Sequence, residues 1–344
     1  MPNDSRSSRL MNSRGHAGPS AARSRVNSSS GGGPEASATV GQARSADRAV
    51  ATVLSYTEFV LPRRESPLVR ALRSASPSVS VELRPPRAEL DAPAGIDAWI
   101  DTYHAVTGFV RGKTFVFLTD SAVGAREEHN LRHLVINLGA DVPRDHVVPF
   151  LTTKHSLDFC LAYAERAWQE GFRSLVVLGG DRTVGPPRCV AHAWQLREAI
   201  REHMPELSLG GWANPHADPE TQVGYLSDAR FTGEFFLTQV VSHHDEAAVA
   251  AFAEELQRRQ IQTPGMFGVF YYRSANPKTL QTLKQFLPVP VEGLMREFAE
   301  GLSPDAVCAR TIRTLRAAGV QHFYVSNLPL GRARQTLQRV LSQV

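Results

Sequence analysis

The stretch Val79-Ser-Val-Glu-Leu-Arg-Pro-Pro86 decides how this chain folds. Val79 and Val81 belong to a strand-like apolar run that Glu82 closes, and two prolines follow at once. Neither proline can donate to a sheet ladder, and each biases the residue before it away from helix, so the strand has to stop here. Glu82 is thereby placed at the end of a strand, projecting beyond it. In a parallel α/β protein that is the end where ligands sit. A lone glutamate in a loop is ordinarily a solvated surface group, so the reading depends on whether the pattern recurs.

It recurs along the whole chain. Apolar strand candidates follow at Thr114–Leu118, Val147–Leu151, Ser174–Leu178, Leu207–Trp212, Phe235–Thr238, Met266–Tyr271 and Gln321–Val325, after the first at Val79–Leu83. Between them, apolar residues three and four apart predict helices over Ile96–Thr107, Glu127–Leu138, Leu157–Glu170, Val190–His203, Glu246–Gln260 and Ala306–Ala318, the last stopped by Gly319. A weaker helix is expected over Pro219–Arg230 and two short ones within Pro277–Leu302. Eight strands alternating with helices predict an α/β fold, the (β/α)8 TIM barrel, whose catalytic groups come from the carboxyl ends of the strands. Read in order, those ends carry Glu82; Thr119, Asp120 and Ser121; Thr152 and Thr153; Gly180 and Asp181; Trp212, Asn214 and His216; Gln239; Tyr271 and Tyr272; and Ser326 with Asn327. Each short polar residue among them also suits a turn or a helix cap.

Composition narrows the class. The chain has 344 residues, 42% hydrophobic and 21% charged, an ordinary balance for a globular enzyme. No run approaches the roughly 18 apolar residues of a membrane span, so no membrane partner is expected. Cys160, Cys189 and Cys308 are far apart, odd in number and without CxxC spacing, which indicates neither a disulfide framework nor a cysteine metal site and fits a reducing cytoplasm. The net charge of +4 lies entirely in residues 1–48, where seven arginines face three acids; the remaining residues balance at 31 basic and 31 acidic, so no nucleic-acid partner is expected. Residues 1–50, rich in Ser, Gly and Arg, are read as a disordered tail and 51–344 as the barrel domain. The leader is acid-poor like a transit peptide but has no amphipathic stripe. The sequence leaves open whether the chain is a homo-oligomer.

The ordered strand ends resemble those of the methylenetetrahydrofolate reductases. Val81-Glu-Leu-Arg-Pro-Pro86 is similar to the family's FEFFPP strand, Leu178-Gly-Gly-Asp181 to its LRGD, Phe236-Leu-Thr-Gln239 to its ITQ, Pro149-Phe-Leu-Thr152 to its PHLT, Trp212-Ala-Asn-Pro-His216 to its YPExH, and Pro264-Gly265 with His322-Phe-Tyr-Val-Ser-Asn327 to its PGI and HFYTLN. No one motif is specific; their shared order over residues 79–328 is what carries the resemblance. It implies a barrel that holds FAD and passes hydride from NAD(P)H to 5,10-methylenetetrahydrofolate. Glu82 would be the acid that protonates N10, a role that suits a carboxyl whose pKa is raised in a partly dry site. Asp181 and Gln239 would read the pterin edge, Tyr272 would stack on the substrate, and Asp181 would tune the flavin. Thr119, Gly180, Asp181, Trp212, His216 and Gln239 would line the flavin site.

The chain also departs from the family at flavin contacts. Gly179 replaces an arginine, Phe150 a histidine and Trp212 a tyrosine, and Arg230 is the only basic residue between His216 and Gln239, where the family has a basic phosphate-gripping helix. FAD affinity is therefore expected to be weak. A flavin-free paralogue acting on a tetrahydrofolate derivative, by one-carbon transfer or direct nicotinamide reduction, and a non-catalytic folate-binding barrel are the alternatives. No metal site is expected: His243-His244-Asp245 and His216 with Asp218 offer ligands, but no third spaced ligand is evident. Lys154 follows its strand, a poor position for a Schiff-base lysine.

Overall fold

The computed structural model describes residues 65–86, 90, 92–119, 138–139 and 142–344. The expected tail and nearly all of the Glu127–Leu138 helix, with Asp120 and Ser121, lie outside the described residues. Eight parallel strands close a barrel in chain order: β1 (Ser78–Leu83), β2 (Val116–Leu118), β3 (Val147–Thr152), β4 (Ser174–Leu178), β5 (Ser208–Ala213), β6 (Phe235–Val241), β7 (Gly265–Phe270) and β8 (His322–Ser326). Closure is made by β1 on β8, where Ser78 pairs with His322 and Glu82 with Ser326. The TIM barrel expected from the strand and helix rhythm is the fold observed.

Ten α-helices are described: α1 (Pro67–Arg73), α2 (Ala92–Arg111), α3 (Leu157–Gln169), α4 (Ala193–His203), α5 (Pro219–Ser227), α6 (Glu246–Arg258), α7 (Pro277–Lys284), α8 (Val291–Ala299), α9 (Pro304–Ala317) and α10 (Ala333–Leu341). Four of them open on a polar cap followed by proline: Ser66-Pro67, Asp218-Pro219, Asn276-Pro277 and Ser303-Pro304, each cap accepting from the backbone N–H three residues on. Proline is pre-set for the first helical position, where its missing donor costs nothing, so these dipeptides fix where the helices begin. No described helix is long and apolar enough to cross a membrane.

Two differences from the expected elements matter for the site. β6 runs on to Val241 rather than ending at Thr238, with a register shift against β7 between Leu237 and Val240. The Thr238 hydroxyl bridges that bulge, accepting from Gly268 N at 3.1 Å and donating to Gln239 O at 2.8 Å. The other difference is α1, which periodicity missed because two turns are too short a window. Its Leu68, Val69 and Leu72 are buried with Phe117, Val148, Val176, Phe235 and Met266, side chains of the barrel interior. Ser174, the first residue of β4, donates to the Ser66 cap at 3.0 Å. The helix therefore plugs the amino end of the barrel.

Leu68→Ala should lower unfolding free energy by about 2 to 5 kcal/mol, the usual cost of emptying a fully buried leucine site. Urea unfolding checks this, and a change within about 0.5 kcal/mol would show that α1 is not part of the core.

Candidate active site

The alternation of strand faces decides which groups enter the barrel. Val81 and Leu83 pack in the layer between sheet and helices, so Ser80 and Glu82 turn inward. Paired residues of parallel strands share a face. One interior row therefore reads Phe270, Ser326, Glu82, Phe117, and the row beneath it Gly268, Tyr324, Ser80. Phe117 lies 6.1 Å from both Phe150 and Tyr324 ring to ring, so the three make an aromatic floor. Tyr324 fits only because its neighbour is glycine: a Cβ on Gly268 would stand 2.5 Å from the Tyr324 hydroxyl oxygen. That hydroxyl donates to Thr238 O in the β6 bulge.

Glu82 is recessed above this floor. Its hydrogen-bond partner is the Ser326 hydroxyl, which donates to Oε1 at 2.8 Å. Burial against the apolar interior raises the carboxyl from its ordinary 4.5 to about 7, and the serine bond offsets only a little of that. The carboxyl in turn helps to push the Tyr324 phenol up, after burial. At neutral pH Glu82 is thus divided between its acid and base forms, the condition for a proton donor.

The other expected site residues are placed unequally. Trp212 packs at the edge of the interior cluster, and Gln239 sits in the β6 bulge with its Oε1 accepting from Val240 N at 3.0 Å. Both stand on strands at the mouth with Glu82. Thr119 follows β2, its N–H donating to Leu83 O at 3.2 Å. Asp181 is turned into its own loop. Its Oδ1 accepts from Thr183 N at 2.7 Å, Val184 N at 2.8 Å and the Thr183 hydroxyl at 2.9 Å, and these bonds hold it below the usual carboxylate range. Gly180 has φ of 68°, a left-handed turn that suits glycine, and its carbonyl accepts from Arg188. His216 is a brace: Nε2 donates to Val240 O at 2.9 Å, tying the β5 loop to β6. Tyr272 is 5% exposed among Leu280, Val289, Val291 and Leu294, with its ring centroid 4.9 Å from that of Phe270, which holds the row position beside Ser326.

Three residues outside the expected set shape the loop after β4. Lys154 is buried and donates to Val184 O at 2.6 Å and Pro186 O at 2.8 Å, which accounts for a lysine at a strand end without Schiff-base chemistry. Thr153 Oγ1 donates to Gly179 O at 2.7 Å. Arg188 lays its guanidinium on Gly179, 2.9 Å from where a Cβ would be, so the arginine that the family pattern places at that position arrives here from nine residues downstream. No local spacing advertises this; a glycine that must stay small was the only signal.

Whether the described residues fit FAD turns on its pyrophosphate, which needs cations or clustered donors. Arg230 is bound to Asp228 at 2.9 and 2.6 Å and lies 5.6 Å over the Trp194 ring. The basic residue that the sequence offered for the phosphates is thus engaged by Asp228.

No protein-family model matches the chain, and no curated protein matches it by sequence. Solved structures share its fold. A Clostridium thermocellum protein described as binding two copies of 5-methyl-5,6,7,8-tetrahydrofolic acid superposes with a TM-score of 0.56 at 12% identity, over 78% of this chain and 93% of that one. The coenzyme F420-dependent tetrahydromethanopterin reductase of Methanopyrus kandleri gives 0.50 at 11% identity, over 78% and 99%. At these identities the likeness establishes the barrel.

Glu82 also predicts a pH dependence. Between its unfolded value near 4.5 and its folded value near 7, the folded chain keeps a proton that the unfolded chain has released. This contribution to stability is complete below the lower value and is lost as pH rises through the upper one. From about pH 5 to pH 8 the wild type should lose about 1 to 3 kcal/mol more than Glu82→Gln in urea unfolding. Parallel pH profiles for the two proteins would show that this carboxyl titrates normally.

Proposed function

We propose that the open mouth of this barrel binds a reduced folate and that Glu82 supplies the proton for a one-carbon reaction on it. The observation that carries the reading is one carboxyl group inside the barrel, above an aromatic floor, bonded to Ser326 and poised near neutrality. On 5,10-methylenetetrahydrofolate its proton would go to N10, the electron pair of the broken carbon–N10 bond would stay on that nitrogen, and the carbon would remain as an iminium on N5. Hydride from NAD(P)H would then give the 5-methyl product, the reaction of the family whose motif order the chain resembles. Trp212 and Phe270 offer flat apolar faces for a pterin, and the Gln239 amide offers donors for its edge. A barrel of the same fold that binds 5-methyltetrahydrofolic acid is compatible with this use of the mouth. Because Arg230, the basic residue that the sequence offered for the FAD phosphates, is paired with Asp228, the reading takes the flavin-free form, with hydride passing directly from the nicotinamide.

Calorimetric titration with 5-methyltetrahydrofolate should give saturable micromolar binding by the wild type and by Glu82→Gln, since the amide keeps size and a donor. Turnover of methylenetetrahydrofolate with NAD(P)H should fall by about 100-fold or more in the variant. Absence of reduced-folate binding by the wild type would overturn the ligand, and near-normal turnover in the variant would overturn the role of Glu82. In a separate titration, FAD fluorescence should show no saturable quenching at micromolar protein; tight quenching would restore the flavin route.

A further inference from the structure

Just outside the mouth, the loop after β6 and helix α8 bring two imidazoles against one buried carboxylate. Ser242 ends the strand and fixes a short turn: its Oγ accepts from His244 N at 3.2 Å, and its N–H and hydroxyl donate to Asp245 Oδ2 at 2.8 Å each. His243 and His244 leave this turn side by side, with ring centroids 4.1 Å apart. α8 closes on them at Gly293, where a Cβ would stand 2.4 Å from His244 Cε1. One turn further, Glu297 presents Oε1 at 2.8 Å from His243 Nε2 and Oε2 at 3.4 Å from His244 Nε2. The ligand that the sequence lacked is therefore supplied across more than fifty residues.

The surroundings hold these side chains in place. The Thr311 hydroxyl lies 2.9 Å from His243 Nδ1 and 3.3 Å from Val307 O, and so holds the far side of that ring. Arg310 also donates to Oε1 at 2.5 Å, on the oxygen that faces His243, while Oε2 faces His244. A second partner on the far nitrogen of an imidazole, and a bonded carboxylate, are the usual outer contacts of metal ligands. One atom from each of the three residues lies within 4.8 Å of the others. Bonds of about 2.0 to 2.2 Å set tetrahedral zinc ligands about 3.3 Å apart, close to the 3.4 Å between His244 Nε2 and Glu297 Oε2.

We propose that His243 Nε2, His244 Nε2 and a Glu297 carboxylate oxygen form a binding site for a divalent cation of the zinc class, with its fourth position open to solvent on the His244 side. The ion would clamp the β6 loop to α8. Asp245, in the same turn, lies 3.9 Å from His216 Nδ1, so the clamp would also steady the brace at the rim of the mouth.

Chelator-treated full-length protein titrated with Co2+ should develop the visible absorption of a tetrahedral ion with one equivalent bound, displaced by Zn2+, and Zn2+ should raise its melting temperature. His244→Ala, on the exposed side, should keep the metal-free melting temperature and lose that equivalent, with affinity down by at least about 100-fold. His244→Gln and Glu297→Gln serve as second variants should the first not fold. The chain has 12 histidines, so adventitious binding has its own signature: equal titrations of wild type and variants overturn the site. So does a wild type with no absorption band and no zinc-dependent melting shift.

Discussion

The pairing of β8 with β1 is the contact on which everything else rests. It removes the last two strand edges, and in doing so fixes the parity of every strand, because a slip of one residue would exchange the inner and outer faces of β1. In the register adopted, Ser80 and Glu82 face in while Val81 and Leu83 pack under the helices. The same pairing sets Ser326 beside Glu82, so the closure of the barrel and the partner of its interior acid are one event.

A polar group at a strand end has two competing uses, holding its own loop or meeting a ligand. Most here do the first. Asp181 Oδ1 accepts three bonds from the turn it closes, Asp245 Oδ2 two from Ser242, and His216 Nε2 is bound to the β6 carbonyl it braces. Lys154 and Arg188 clamp the β4 loop in the same way. Glu82 has one hydroxyl and an apolar floor, too few donors to hold it ionised, and that shortage is what lifts its pKa toward neutrality. Glu297 is the opposite case: burial raises its carboxyl, but the bond and charge of His243, with those of His244, outweigh that cost and hold it below the usual range.

The departures from the family pattern acquire physical meaning in the fold. Phe150, where the pattern has histidine, is part of the aromatic floor. Gly179, where the pattern has arginine, makes room for Arg188. Both changes remove a polar contact from the mouth and fill its place with packing or with a distant side chain.

The alternation of apolar runs, Pro-terminated strand ends and polar-Pro helix starts is local information, and it was enough for the eight strands, the barrel and the position of Glu82 at a carboxyl end. The β6 bulge, the α1 plug, the bonding of Asp181 into its own turn, the burial of Tyr272, and the arrival of Arg188 and Glu297 were not in the local pattern. Each depends on where a side chain meets atoms far along the chain: Ser66 with Ser174, Tyr324 with Thr238, His243 with Glu297. Periodicity reports which face of an element is apolar; which polar atom is left for a ligand is decided only after all the tertiary hydrogen bonds have been made.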